Sequence, residues 1–133
     1  MTNEISEKLK QASHGLLMMS ESEYPFEIVL WVGQGQEPIT AQKIRQLTGH
    51  SQDSPIEEVE LEYFFRNCAF EKEYHNELQK KDVKKFQALI KTLKENLNEI
   101  KVYRLGTRSI DVYIVGETLD KDLAGISTKV IET

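Results

Sequence analysis

The sequence predicts an α+β protein in which helices pack on a largely antiparallel β-sheet. Residues 82–97 place apolar side chains at helical spacing, the strongest helical pattern in the chain. Residues 100–105 and 109–115 alternate, and the short link between them begins with Gly106, which is typical of a hairpin. Another alternating segment, residues 125–133, runs to the last residue. Four or five strands, with one helix ahead of them and one long helix between them, favour this fold class.

Residues 4–19 predict an amphipathic helix. Apolar side chains recur there every three or four residues, and acidic residues lie in the first turn, where the helix dipole favours anions. Pro25 disfavours helix at the residue before it, and the neighbouring serines satisfy backbone groups locally. We therefore expect residues 20–26 to form a connecting loop that presents Glu21 and Glu23 for recognition, unless it is simply a solvated turn.

The next two elements have clear ends. Residues 26–32 are mostly apolar, which predicts a strand buried on both faces or nearly so, and Gly33 ends it. Residues 41–47 predict a short helix. Thr40 is a suitable N-cap for it, and Gly49 is a suitable C-terminal stop.

The second half of the chain has one weakly patterned segment between well-patterned ones. Residues 56–61 alternate with an acidic face, which predicts an edge strand, and residues 63–65 are expected to enter the core on a short helical turn. Residues 67–80 show no clear period and are expected to form a mobile loop or an irregular helix. The long helix is predicted to begin at Asp82, and residues 116–125 make a hairpin-like return to the terminal strand.

The terminal segment has the most direct implication for function. Residues 126–131 alternate as a strand with one face on a core. If this strand is paired up to Val130 or Ile131, the Glu132 carboxylate, the Thr133 hydroxyl and the terminal carboxylate are held near one place. Such hard oxygen donors suit Mg²⁺, Ca²⁺ or arginine clusters. The alternative is that Glu132 and Thr133 are solvated end residues.

Composition sets limits on location and organisation. The chain of 133 residues has 39% hydrophobic and 29% charged residues, which predicts one domain over residues 1–133. No apolar run approaches the length of a membrane span, and the N-terminal residues lack the pattern of a secretion signal. The single Cys68 excludes an internal disulfide and fits a reducing compartment. We therefore expect a cytoplasmic protein.

The net charge of −5 conceals two regions of opposite sign. Residues 1–62 carry eleven acids and four bases, whereas residues 78–108 carry nine bases and three acids. The acidic half argues against binding nucleic acid there and favours a basic partner, to which this protein would bind as a scaffold or an adaptor. The alternative is a nucleic-acid-binding module that uses the lysine face of the long helix. That face consists of Lys84, Lys85, Lys91 and Lys94.

Patterns for catalysis are nearly absent. His14, His50 and His75 lie in separate predicted elements without the paired spacing of a metal site. Cys68 lies among apolar residues and fits a small core residue better than a nucleophile. Residue types of a hydrolase triad occur only singly. The sequence therefore argues against an enzyme and against a cofactor of its own, and leaves open only an enzyme with a pocket of perturbed acids.

Several separate blocks of the sequence resemble the nuclease A inhibitor family, and together they span nearly the whole chain. They are SESEYPF at 20–26, TGH at 48–50, QD at 52–53, VYRLG at 102–106, DVY at 111–113, GET at 116–118, LAGISTKV at 123–130 and the final ET. The resemblance implies an intracellular protein that inhibits a secreted, sugar-nonspecific, Mg²⁺-dependent endonuclease of the ββα-metal type. It also implies a three-layer α/β/α sandwich, a variant of the pathogenesis-related-1-like fold.

The resemblance also implies which residues meet the nuclease. Thr133 matches the terminal threonine that reaches the metal region of the nuclease, so its metal contact exists only in the complex. Glu21 matches a glutamate that points into the active site. Glu23 is an acidic residue of the same block, and Glu132 is the acidic residue next to Thr133 in the final block. The family has a tryptophan at the position of Tyr74, so the tyrosine here is a departure that affects affinity or the choice of nuclease.

Overall fold

A computed structural model describes residues 2–19, 22–51, 53–66 and 76–132 of the chain. The expectations for Cys68, His75 and most of the 67–80 segment lie outside the described residues. The helices and strands are α1 (Thr2–Ser13), β1 (Leu17–Met19), β2 (Glu23–Pro25), β3 (Glu27–Trp31), α2 (Ala41–Thr48), β4 (Ile56–Val59), α3 (Leu61–Phe64), α4 (Glu77–Asn96), β5 (Asn98–Leu105), β6 (Ser109–Glu117) and β7 (Leu123–Ile131), with a 3₁₀ turn at Gln34–Gln36.

Five strands form one antiparallel sheet in the order β3-β7-β6-β5-β4, which confirms the predicted α+β class. The terminal strand β7 lies between β3 and β6 and stays in register with β6 as far as the pair Ser109 and Ile131. Its alternation is explained by this position, because Ile126, Thr128 and Val130 are all buried. The prediction of a terminal strand paired to Ile131 is confirmed.

Apolar side chains fill both faces of the sheet. One cluster joins Leu9 of α1 and Leu93 of α4 to Ile114 of β6. A second cluster joins Ile44 of α2 to Val115 of β6. Because Ile114 and Val115 are neighbours on one strand, their side chains point to opposite faces. The sheet is therefore a buried layer that fixes the ends of its strands in space.

The first helix is shorter than predicted, and the loop after it contains a hairpin. Helix α1 ends at Ser13, and Gly15 adopts the left-handed conformation with φ of 76°. The apolar residues 17–19, expected in the helix, instead form β1, which pairs antiparallel with β2. The prediction of a helix to residue 19 is wrong because an apolar run also suits a strand, and residues 23–25 of the predicted loop form strand β2.

Strand β3 is confirmed, but its predicted burial is wrong. It pairs only with β7 and forms one edge of the sheet, so Glu27 is exposed, Val29 is buried and the other three residues are half-buried. Val32, which follows it, is 70% exposed. An apolar run alone does not distinguish a central strand from an edge strand that receives a helix on each side.

The remaining boundaries shift by a few residues. Strand β4 is an edge strand as predicted but ends at Val59, because helix α3 begins at Leu61. Helix α4 begins at Glu77, five residues before Asp82, so the predicted loop is partly helical. The caps of α2 are confirmed, since the Thr40 hydroxyl accepts from the Lys43 amide at 3.1 Å and Gly49 is left-handed. These local signals fixed the ends of α2.

Candidate functional site

The backbone of the terminal strand is held through residue 132. Beyond the last ladder pair, the Glu132 amide donates to the carbonyl oxygen of Arg108 at 2.8 Å. This bond extends the pairing of β7 past the start of β6, so the chain end does not separate from the sheet at Ile131. The residue that follows, Thr133, lies outside the described residues, as do Glu21 and Tyr74.

Arg104 of β5 ties the Glu132 side chain to the sheet. Its Nη2 donates to the Glu132 carboxylate, and its Nη1 donates to Oε1 of Glu57 at 3.0 Å. The Arg104 side chain is 22% exposed, against 53% for Glu132, so the guanidinium lies under the two carboxylates. Its Nε is buried and has no hydrogen-bond partner among the described residues. The carboxylate predicted as a free oxygen donor is therefore already paired within the chain.

A cleft of about 430 Å³ opens beside this ion pair. Arg104 and Glu132 line it, together with Tyr63 and Arg66 of the segment around α3. Buried apolar side chains, including Val130, also line it. The end of the terminal strand thus borders a concave surface lined by both charged and apolar side chains.

The hairpin formed by β1 and β2, named the acidic hairpin after Glu23, is attached to the same terminal strand. Glu23 begins β2 and is exposed, and it pairs in register with Met19 of β1. The Thr128 hydroxyl of β7 donates to the Pro25 carbonyl at the other end of β2, at 3.0 Å. Thr128 precedes Glu132 by four residues, roughly 13 Å of extended strand. One strand therefore carries both the hairpin and the chain end.

A second polar network lies on the opposite side of the sheet, and it contains residue types of a hydrolase triad. His50 Nδ1 lies 2.7 Å from the Thr48 hydroxyl, and His50 Nε2 lies 3.0 Å from Oδ2 of Asp111. The Thr48 hydroxyl also lies 2.7 Å from the Ile44 carbonyl oxygen, so its one proton can go either to that carbonyl or to His50 Nδ1, and the histidine tautomer sets the choice. This network joins the loop after α2 to β6.

Sequence reasoning missed both networks, although their members lie in the blocks that carry the family resemblance. Arg104 lies in VYRLG, His50 in TGH and Asp111 in DVY. His50 and Asp111 are 61 residues apart in sequence, so no short sequence motif predicts the contact between them. The blocks contain residues that make tertiary contacts, but the sequence does not show which of these residues contact each other.

Within the described ranges, three ionisable groups have a pKa clearly shifted from its ordinary value. Burial, and then the nearby Glu58 carboxylate, raise the pKa of Tyr103 to about 12. Burial, followed by the charges of Asp111 and Glu27, raises the pKa of Tyr113. The ion pair with Lys94 lowers the pKa of Glu62. Each shift follows from packing or pairing that supports the fold.

The lysines of α4 are exposed at residues 84, 85, 91 and 94. Lys94 pairs with Glu62 of α3, so one of the four joins two helices. Within the described ranges, no three His, Cys, Asp or Glu side chains are grouped to hold a metal ion. No helix in the described part of the chain has the length and apolar character needed to cross a membrane.

Comparison with known protein families shows to which family a chain with these features belongs. A family model described as nuclease A inhibitor-like protein matches residues 3–133. The chain belongs to the nuclease A inhibitor-like family. The match confirms the resemblance seen in the sequence, and it extends over the hairpin, the terminal strand and the last residue. A search of curated proteins finds no match to this nuclease A inhibitor-like chain.

Proposed function

We propose that this protein inhibits a nuclease by binding it, and that its target is a sugar-nonspecific, Mg²⁺-dependent endonuclease of the ββα-metal type. Membership of the nuclease A inhibitor-like family over residues 3–133 carries this proposal. The inhibitor is a monomer when free and binds one nuclease molecule. It performs no catalysis and holds no cofactor of its own.

In the proposed complex, the chain end blocks the active site. Thr133 follows a residue whose backbone is bonded to Arg108 and whose carboxylate is bonded to Arg104, which supports a fixed position for the terminus. A chain held as far as Glu132 loses less entropy when its last residue binds. Thr133 would supply oxygen atoms to the metal region of the nuclease, where the Mg²⁺ belongs to the nuclease.

The acidic hairpin supplies the second contact. Glu21 precedes β2 by two residues and would enter the active site, with Glu23 beside it and Glu132 near the chain end. Carboxylates suit a site built for phosphate oxygens, because both are anionic acceptors. Tyr74 would act as an aromatic anchor at the edge of the interface, in place of the family's tryptophan.

Charge complementarity accounts for recognition over longer distances. The acidic residues 1–62 would face the basic channel along which the nuclease binds DNA. Such complementarity mainly raises the association rate, and salt weakens it. We also propose that the sheet with apolar clusters on both faces is a three-layer α/β/α sandwich of the pathogenesis-related-1-like type, and that the protein acts in the cytoplasm.

Competition with DNA tests the proposal. Cleavage of DNA by a purified ββα-metal endonuclease is measured at several DNA concentrations and several concentrations of the inhibitor. Blockage of the active site predicts an apparent inhibition constant that rises in proportion to DNA concentration. Inhibition that is independent of DNA concentration would contradict active-site blockage, and no inhibition would contradict the choice of target.

A further inference from the structure

We propose that Thr128 is a positioning residue for inhibition. Its hydroxyl fixes the base of the acidic hairpin on the terminal strand, and so sets where Glu21 and Glu23 meet the nuclease. The inference rests on the proposed inhibitor function. It assigns a role to a buried residue that lies outside the proposed contacts with the nuclease.

Thr128 is a polar residue at a core position. It is 8% exposed and lies on β7 between Ile126 and Val130, which belong to the main apolar cluster. A valine would suit the alternation of this strand equally well, and a buried hydroxyl costs free energy unless it forms a hydrogen bond. The hydroxyl at residue 128 is therefore explained by its hydrogen bond and not by the packing of the sheet.

The hydrogen bond of Thr128 joins two distant parts of the chain. Its hydroxyl donates to the Pro25 carbonyl at 3.0 Å, with the Tyr24 carbonyl at 3.4 Å, and both carbonyls belong to β2. Because these two neighbours are acceptors only, the hydroxyl acts as the donor. Thr128 and Pro25 are 103 residues apart in sequence. The bond is therefore a tertiary attachment of the hairpin to the terminal strand.

The hairpin is attached to β7 by side chains. The pairing of β3 with β7 begins at Glu27 and Ser127 and runs away from the chain end. Strand β2 ends at Pro25, two residues before Glu27, and the described ladders pair it with β1 in a separate two-stranded sheet. A backbone ladder fixes β3 on β7, whereas the position of β2 depends on contacts such as that of Thr128.

A second side chain of β7 supports the hairpin from the opposite face. Lys129 follows Thr128, so its side chain points to the other side of the strand. Its ammonium lies 5.9 Å from the centroid of the Tyr24 ring, within cation–π range, and 3.7 Å from Oδ1 of Asp111 on β6. Both distances are long for such contacts, so the Thr128 hydrogen bond is the more specific of the two attachments.

A change at the base of the hairpin displaces its acidic end. Pro25 pairs with Leu17 at the base, and Glu23 pairs with Met19 at the other end of the ladder. Glu23 lies two residues from Pro25, roughly 7 Å along the strand, and Glu21 precedes it by two residues. A rotation of β2 about its base would therefore move the acidic residues away from the nuclease active site without removing any charge.

Thr128→Val tests the inference, because valine keeps the branched shape, suits a strand and removes only the hydroxyl. We expect it to raise the inhibition constant against a purified ββα-metal endonuclease at least about fivefold. Thr118→Val is the matched control. Thr118 is also buried, and its hydroxyl accepts from the Asp122 amide at 3.0 Å, in the link at the other end of β7. Thr118→Val, and Thr128→Ser, which keeps the hydroxyl, are expected to stay within about twofold of wild type.

A double-mutant cycle with Glu21→Ala distinguishes positioning from general destabilisation. If Thr128 acts by placing Glu21, Thr128→Val should change the inhibition constant less than about twofold in the Glu21→Ala background. A loss of stability alone would weaken inhibition by a similar factor in both backgrounds. Hydrogen exchange of the free protein, measured by NMR, should also become faster at the Glu23 and Tyr24 amides in Thr128→Val but not in Thr118→Val.

The outcomes separate this inference from the proposed function. If Thr128→Val inhibits like wild type, or weakens inhibition equally in both backgrounds, Thr128 is not a positioning residue and the inhibitor function stands. Unchanged exchange at the Glu23 and Tyr24 amides would also overturn the inference, and that measurement requires no nuclease. If the wild-type protein does not inhibit, the proposed function fails and the inference fails with it.

Discussion

The Arg104 guanidinium donates to the Glu132 carboxylate and so ties the last described residue to strand β5, two strands away in the sheet. The two residues are 28 positions apart in sequence. Their contact crosses the start of β6. Arg108, the residue before β6, also accepts a hydrogen bond from the Glu132 amide through its carbonyl oxygen. The position of the chain end is therefore a property of the whole sheet and not of the terminal strand alone.

Arg104→Gln is expected to loosen the chain end. Loss of two charge-assisted hydrogen bonds, one to a half-exposed carboxylate, should cost about 1 kcal/mol of the free energy of unfolding. Hydrogen exchange measured by NMR should become faster at the Glu132 amide, and inhibition should weaken. Arg108→Gln is the matched control, because the Arg108 side chain is exposed and only its backbone carbonyl holds Glu132. Equal exchange rates in the two variants would mean that Arg104 does not order the terminus.

A peptide tag added after Thr133 is expected to cost at least about 2 kcal/mol of affinity for the nuclease, if the terminus is a hot spot of binding. The tag removes the terminal carboxylate and must pass through the active site. The same tag at the N-terminus is the control. Tagged proteins that bind equally well, measured by isothermal titration calorimetry, would exclude the terminus from the contact.

Glu21→Ala is expected to weaken inhibition much more than Glu4→Ala. Both substitutions remove one negative charge, so long-range attraction to a basic partner changes by a similar amount. Glu4 lies in the first turn of α1, exposed, 3.9 Å from Lys8, and is not expected to contact the nuclease. Inhibition constants at two salt concentrations measure the difference. Equal small losses would indicate that only diffuse electrostatic attraction acts.

Gly125→Ala is expected to disrupt the sheet. A Cβ atom at residue 125 would overlap the carbonyl oxygen of Ile114 on β6, which is backbone and has no room to move. We expect a loss of at least about 3 kcal/mol in the free energy of unfolding, measured with urea. Ser127→Ala on the same strand is the control, since its Cβ is already present. A stable Gly125→Ala protein would contradict the observed approach of β6 and β7.

Stability is expected to fall at high pH because of Tyr103. Its pKa is raised from 10.0 to about 12 in the folded protein, so the folded state keeps a proton that the unfolded state has lost. The contribution of the protonated Tyr103 hydroxyl to the free energy of unfolding is complete below pH 10, and it is lost as the pH rises through about 12. Urea unfolding between these pH values should show a smaller decrease for Tyr103→Phe than for wild type. An identical decrease would assign the alkaline sensitivity to another group.

The parts of the fold that sequence predicted correctly depend on local signals. Thr40 and Gly49 fix the ends of α2 through bonds to residues within the same helix. The alternation of β7 survives because one face of the strand is buried along its whole length. In the helix the deciding interactions join residues that are close in sequence, and in the strand they follow the alternation of buried and exposed positions.

The errors arise where distant contacts decide between two local possibilities. Residues 17–19 suit a helix or a strand, and pairing with β2 selects the strand. The edge position of β3 depends on the order of strands in the sheet, which its own apolar run does not encode. The Arg104 pair with Glu132 and the His50 pair with Asp111 likewise required the fold to bring them together. The sequence therefore indicated where the candidate site begins, but not how its members are held.

The most direct test of active-site blockage by the chain end is a stoichiometric titration of a purified ββα-metal endonuclease in Mg²⁺. DNA degradation is followed while the protein, ending at Thr133 without a tag, is added, and the titration is repeated with Thr133 deleted. We predict that activity falls linearly to zero at one inhibitor per nuclease, and that the deletion largely restores it. Equal inhibition by both proteins would contradict the role of the chain end, and full activity with excess native protein would contradict inhibition of this nuclease.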